Sequence, residues 1–282
     1  MERTLVVNAD DLGLTVGVNN GIFDAHDHGI LTSASLMASA AAATDAIRRA
    51  ANRPSLGIGV HLTLVDGAPM LLPNRVPTLV QDDGRFRPSW RPFIVACLTG
   101  RVSMEDVERE LTAQIEYITS HGIKPTHLDA HKHVHLYPPV FDIAVRLAER
   151  FRIPVIRVPY ERSLGDLPMF VWAHHDRRLA ASHCIYTPQF VGRAMTGVMT
   201  EETLSTAIRR LRPGHTELMV HPGYVDDALR QMPTRLLASR ETEVTLLTSR
   251  AIGQLIAAEN IDLVPPDFGI HSTSIRSYRN AS

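Results

Sequence analysis

Residues 4–14, TLVVNADDLGL, carry most of what decides the fold. Thr4–Asn8 is a short apolar run of the kind that a buried strand shows. It leads into two adjacent carboxylates, Asp10 and Asp11, and Gly13 follows. Neighbouring residues on a regular strand point to opposite faces. Both aspartates therefore reach one cleft only if the chain turns there, and Gly13 permits a turn. Downstream, Val16–His28 reads as a helix stopped by Gly29. The plainer use of the two aspartates is to cap that helix.

Outward from this unit the alternation repeats. Strands are expected at Leu31–Met37, Leu56–His61, Pro125–Asp129, Ile153–Val158, Glu217–His221 and Ile261–Val264. Helices are expected at Ala40–Ala51, Ser103–His121, Val140–Phe151, Glu201–Leu211 and Arg240–Glu259. Ser103 with Asp106 three residues on is a weak capping box. Two stretches break the pattern: 63–100, rich in Pro, Gly and polar residues and read as an insertion or lid, and the irregular segment 160–197. There is no repeat or low-complexity linker, so the chain reads as one α/β domain over 1–282 with a parallel sheet.

Composition excludes several classes. Lys+Arg is 29 against Asp+Glu 30, a net charge of −1, which does not fit an electrostatic nucleic-acid binder. A hydrophobic fraction of 44% is too high for disorder. No apolar run approaches the ~18 residues of a membrane helix. The opening MERTLVVNADD does not read as a signal peptide, and two cysteines make no disulfide framework, so a cytoplasmic setting is expected. The chain holds 14 histidines, five of them between His121 and His135.

The polar residues fall at the ends of the expected strands: Asp10 and Asp11, His61, Asp129 with His131, Arg157, and His221. In parallel α/β folds the carboxyl edge of the strands is where sites are built. Two histidines and one carboxylate make an open catalytic metal site, with a second carboxylate as general base. Any of His131, His133 and His135 can supply a ligand; extended, the three share one face. By softness this donor set suits Zn²⁺ or another transition metal. A metallophosphoesterase is a rival reading, but two-metal sites need more carboxylates than are visible. A non-catalytic carbohydrate-binding protein is another. Trp90 and Phe93 can stack on a sugar or form local core.

Taken together, NADDLGLTVGVNNGI, GVHLTL, PTHLDAHKHVHLYP, the RVP after the fifth strand and the later HPGY resemble the YdjC/ChbG-type carbohydrate deacetylases, from about Arg3 to Val264. The resemblance implies an irregular, incomplete (β/α) barrel similar to the NodB-type polysaccharide deacetylases. It also implies a divalent metal, Mg²⁺ in the family, on Asp11, His61 and His131. Asp10 would then be the base, His221 the acid and Arg157 the residue holding Asp10 ionised. Asp129, His133 and His135 would lie behind the ligands or along the substrate. A protonated histidine near a metal needs a compensating partner, and Asp226 or Asp227 is the expected one for His221. The implied substrate is an N-acetylated amino sugar, and the implied assembly a homodimer. SASLM, VPYE and DGRF point within the family to the hopanoid-associated HpnK type, whose implied substrate is an N-acetylglucosaminyl lipid.

Overall fold

The computed structural model describes residues 2–161 and 167–266. In chain order the elements are β1 (Arg3–Leu12), α1 (Val16–Asp27), β2 (Ser33–Leu36), α2 (Ala43–Ala50), β3 (Gly57–Leu62), α3 (Trp90–Leu98), α4 (Met104–Ser120), β4 (His127–Ala130), α5 (Pro138–Phe151), β5 (Val155–Ile156), α6 (Leu167–Ser182), β6 (Gln189–Val191), α7 (Glu201–Arg209), β7 (Gly214–Val220), α8 (Asp227–Arg230), α9 (Ala238–Leu247), α10 (Arg250–Ala258) and β8 (Ile261–Leu263). All the strand pairs are parallel, in the order β5-β4-β3-β2-β1-β7-β6, and β8 joins β1. The sheet curls into an irregular half-barrel. Tyr186, just ahead of β6, forms an isolated parallel bridge to Val155 of β5. Backbone bonds of 3.0 and 2.9 Å hold that bridge. One short segment thus reaches both free edges.

The strands sort their side chains by the period of two. Leu5, Val7, Ala9, Ala34, Leu36, Ile58, Val60 and Leu128 belong to the buried apolar core. The alternate positions are small or polar: Asn8, Ser33, Ser35, Gly59, His61, His127, Asp129 and Glu217. Partner registers keep these on the barrel's inner face, with Ser35 beside Gly59 and His61 beside Asp129. Gly59 is needed there, because a Cβ would sit 2.3 Å from the His127 ring. His127 bridges Ser35 Oγ and Thr126 Oγ1, both at 2.9 Å. It is a hydrogen-bonded core residue and not part of the cleft.

The region 63–100 contains α3 and a Val80–Phe86 bridge. It is tied down by one face of α4. Asp106 accepts from Thr78 N, Glu110 from Met70 N and Leu71 N, and Gln114 both accepts from Thr63 N and donates to Thr63 O. Loop amides that no strand pairs are satisfied in this way. Phe93 is local core, whereas Trp90 is exposed. The expected helix over Arg240–Glu259 is two, α9 and α10, broken at Thr248–Ser249. The segment 160–197 holds α6 and β6. No helix among the described residues is long and apolar enough to cross a membrane.

Candidate active site

The site begins where β1 loses its regular register. Between Ala9 and Leu12 its pairing with β2 shifts, and Asp11 takes φ 67°. Such a bulge re-aims side chains. It brings both aspartates into one cleft, and the left-handed residue is Asp11 itself, in addition to Gly13 at φ 92°. Neither aspartate side chain caps α1; that task falls to Thr15, which accepts from Val18 N.

Asp11 faces two histidines. Its Oδ1 lies 3.1 Å from His131 Nδ1 and 3.5 Å from His61 Nε2. One donor atom from each of the three residues falls within 4.8 Å of the others. The other face of His61 is fixed, with Nδ1 2.8 Å from Asp129 Oδ1. A carboxylate behind an imidazole sets its tautomer and leaves Nε2 as the free donor. Ser35 Oγ in turn donates to Asp129 Oδ2 at 2.7 Å. Burial disfavours charge on His61, yet Asp129, Asp10 and Asp11 outweigh it and lift its pKa to about 10. Burial likewise opposes ionisation of Asp11, but Arg240 and the two imidazoles hold its pKa well below the carboxylate range. The pocket thus favours positive charge at His61. One carboxylate oxygen and two imidazole nitrogens, one with a fixed tautomer, fit a divalent metal.

Asp10 belongs to a second, adjoining cluster. Arg157 grips it with both ends of the guanidinium, Nη1 to Oδ2 at 2.8 Å and Nη2 to Oδ1 at 2.7 Å. Asn8 Nδ2 adds a bond to Oδ1 at 3.1 Å. Arg157 also contacts Asp129 at 2.8 Å and Glu217 at 2.6 Å, and its side chain is fully buried. Burial pushes Glu217 up to about 7 against the pull of Arg157. Asp10, His61 and Asp129 also bring donor atoms within 4.8 Å of one another. Arg157 already supplies the cation there. His221 follows β7, with Nε2 3.9 Å from Asp10 Oδ2. Burial lowers its pKa to about 4, against the pull of Asp10 and Asp11.

The histidine string is a tight turn over His131–Leu136 rather than an extended segment. Lys132 and His133 both have positive φ, so the three histidines separate. His131 faces Asp11. His133 meets the Phe190 ring edge-on at 6.3 Å. His135 is buried, with Nε2 2.8 Å from Arg157 O. Burial keeps His135 near 4 and His133 well below 6.5. Lys132 Nζ bonds Asp66 Oδ2 at 2.5 Å, and Asp66 lies 3.6 Å from His131 Nε2. Asp226 is spent elsewhere: it accepts from Gly17 N and Leu229 N. It does not partner His221.

Three buried residues escaped the sequence reading. Glu217 is a charge inside an apolar strand, and Arg240 and Glu243 lie three apart on α9. Arg240 Nη2 donates to Asp11 Oδ2 at 2.5 Å, and Glu243 Oε2 accepts from His221 N at 2.5 Å. A charged pair on the apolar side of a predicted helix was the available signal.

Residues 4–258 match the model of the YdjC-like protein family. Among relatives, a carbohydrate deacetylase of Geobacillus stearothermophilus is 36% identical over 267 residues, covering 94% of this chain and 97% of its own. A carbohydrate deacetylase of Brevibacillus brevis is 33% identical, covering 92% and 97%. The crystal structure of an Enterococcus faecalis V583 protein, described as a candidate cellobiose-phosphate cleavage protein, superposes with a TM-score of 0.81. It is 26% identical and covers 95% of this chain and 98% of that one. This chain belongs to the YdjC-like protein family.

Proposed function

We propose that the protein is a metal-dependent carbohydrate deacetylase that hydrolyses the N-acetyl group of an amino sugar to acetate and a free amine. The observation that carries this is the pairing of the Asp11–His61–His131 donor set with a separate carboxylate, Asp10, that faces His221 at 3.9 Å. The relatives named carbohydrate deacetylases support removal of an acetyl group from a carbohydrate.

Asp11, His61 and His131 would hold the metal, which when bound acidifies water and polarises the acetamide carbonyl. Two nitrogens beside one oxygen favour Zn²⁺, Co²⁺ or Mn²⁺ over Mg²⁺. Asp10 takes the proton of the attacking water. Arg157 and Asn8 hold its carboxylate in place, and that orientation directs the remaining lone pairs at the cleft. His221, from the neighbouring strand end, delivers a proton to the leaving nitrogen. A binuclear phosphoesterase is the weaker reading, because the centre of the adjoining acidic cluster is occupied by the Arg157 guanidinium.

The test is Asp10→Asn. The amide keeps the shape but cannot take a proton, so acetate release from N-acetylglucosamine oligomers should fall about 10²–10⁴-fold, with metal binding retained. Near-normal turnover would reassign the base.

A further inference from the structure

Two buried polar atoms, His221 Nδ1 and Glu243 Oε1, have no hydrogen-bond partner among the described residues, and they belong to residues already in contact. They are linked by the rest of the same two residues. The other oxygen of Glu243, Oε2, already accepts from the backbone N–H of His221 at 2.5 Å. A carboxylate that already accepts from the His221 N–H keeps its second oxygen in the same buried space as the ring of that residue. Glu243 is 1% exposed, so its free oxygen is shielded from bulk solvent. The other side of the imidazole is committed, with Nε2 turned toward Asp10. Arg240, one turn earlier on α9, donates to Asp11 Oδ2 and to His221 O, so the loop is held at both backbone atoms.

We infer that Glu243 is a positioning residue: its free oxygen accepts Nδ1–H of His221, fixing the tautomer whose Nε2 carries the lone pair toward Asp10. This rests on the assignment of His221 as the acid. The proton balance is closed. Asp10 gains a proton from water, Nε2 takes that proton to give an imidazolium, and the same proton then passes to the leaving nitrogen. The N–H at Nδ1 stays on Glu243 throughout, and the ring returns neutral. A carboxylate that orients an imidazole in this way is a recurrent device of acid–base catalysis. Here it comes from α9, the helix whose Arg240 also donates to Asp11.

The test is Glu243→Gln, with Glu243→Asp as the conservative variant. An amide can still accept from His221 N–H but offers Nδ1 a donor, which inverts the tautomer. The expected result is kcat lower by about 10²–10³-fold, KM unchanged within about twofold, metal affinity unchanged, and partial rescue in the Asp variant. Independently of activity, ¹⁵N NMR of wild type, with His221 assigned by the missing signal in His221→Gln, should show Nδ1 protonated and Nε2 bare. An Nε2–H tautomer in wild type, or an unaltered one in Glu243→Gln, overturns the inference. If His221→Gln itself retains turnover, the acid assignment fails, while the tautomer still decides the role of Glu243.

Discussion

Arg157 offers the most quantitative test of how the site is held. Its guanidinium is the cation shared by Asp10, Asp129 and Glu217, at 2.7, 2.8 and 2.6 Å, with none of its side chain exposed. Arg157→Met keeps length and apolar bulk but leaves three carboxylates buried without it. Removing one partner of a buried pair costs about 3–5 kcal/mol. Glu217 softens the loss, because burial already pushes its pKa to about 7 and it can take a proton. We expect unfolding free energy at pH 8 to drop by about 4 kcal/mol and Tm by roughly 10 °C. The sign with pH follows: a carboxyl whose folded pKa lies above its unfolded value is destabilising once pH rises through the folded pKa. The deficit should therefore shrink by about 1–2 kcal/mol at pH 5.5, and Arg157→Met/Glu217→Gln should recover a similar amount at pH 8. Denaturant melts at the two pH values measure this. A deficit under about 1 kcal/mol, or one that neither pH nor the second substitution changes, would mean that Arg157 does not hold the three carboxylates as a buried cation.

Asp129 acts on His61 from behind, at 2.8 Å. Asp129→Asn should weaken metal affinity about 10–100-fold in a direct titration, with the fold kept. Asp176 tests burial away from the site: it is 0% exposed, one of its oxygens has no partner among the described residues, and burial raises its pKa to about 8. Its folded preference for the proton is stabilising below about 4 and is lost as pH rises through 8. Asp176→Asn should accordingly gain stability over wild type across that range and level off above it. A constant difference between pH 4 and 9 would contradict this.

Much of the fold could be read from sequence because short apolar strands alternate with helices and five of the strands lead into a polar residue. Asp10, Asp11, His61, His131, Arg157 and His221 come together from five strand ends. What escaped was geometry that depends on distant partners. Nothing local announces that Asp11, rather than Gly13 alone, adopts the left-handed conformation; the bulge arises from the register against β2. The spacing of His131, His133 and His135 fits a strand, but the chain turns after β4 and buries His135 beneath Arg157 O. Arg240–Glu259 keeps a helical pattern through Thr248–Ser249, where the helix breaks. Glu217, Arg240 and Glu243 look like surface charges until the barrel interior and the His221 loop close around them.

Asp11, His61 and His131 are proposed to hold a metal that Asp10 needs for deacetylation. The measurement is acetate released from N-acetylglucosamine oligosaccharides by chelator-treated protein titrated with Zn²⁺, Co²⁺, Mn²⁺ or Mg²⁺, beside Asp10→Asn and His131→Ala. The expected result is no acetate without metal, one acetate per free amine with it, no metal binding in His131→Ala, and a metal-loaded Asp10→Asn slowed by about 10²–10⁴-fold. Full activity in chelated protein, or no acetate from any N-acetylated sugar at full metal occupancy, would contradict it.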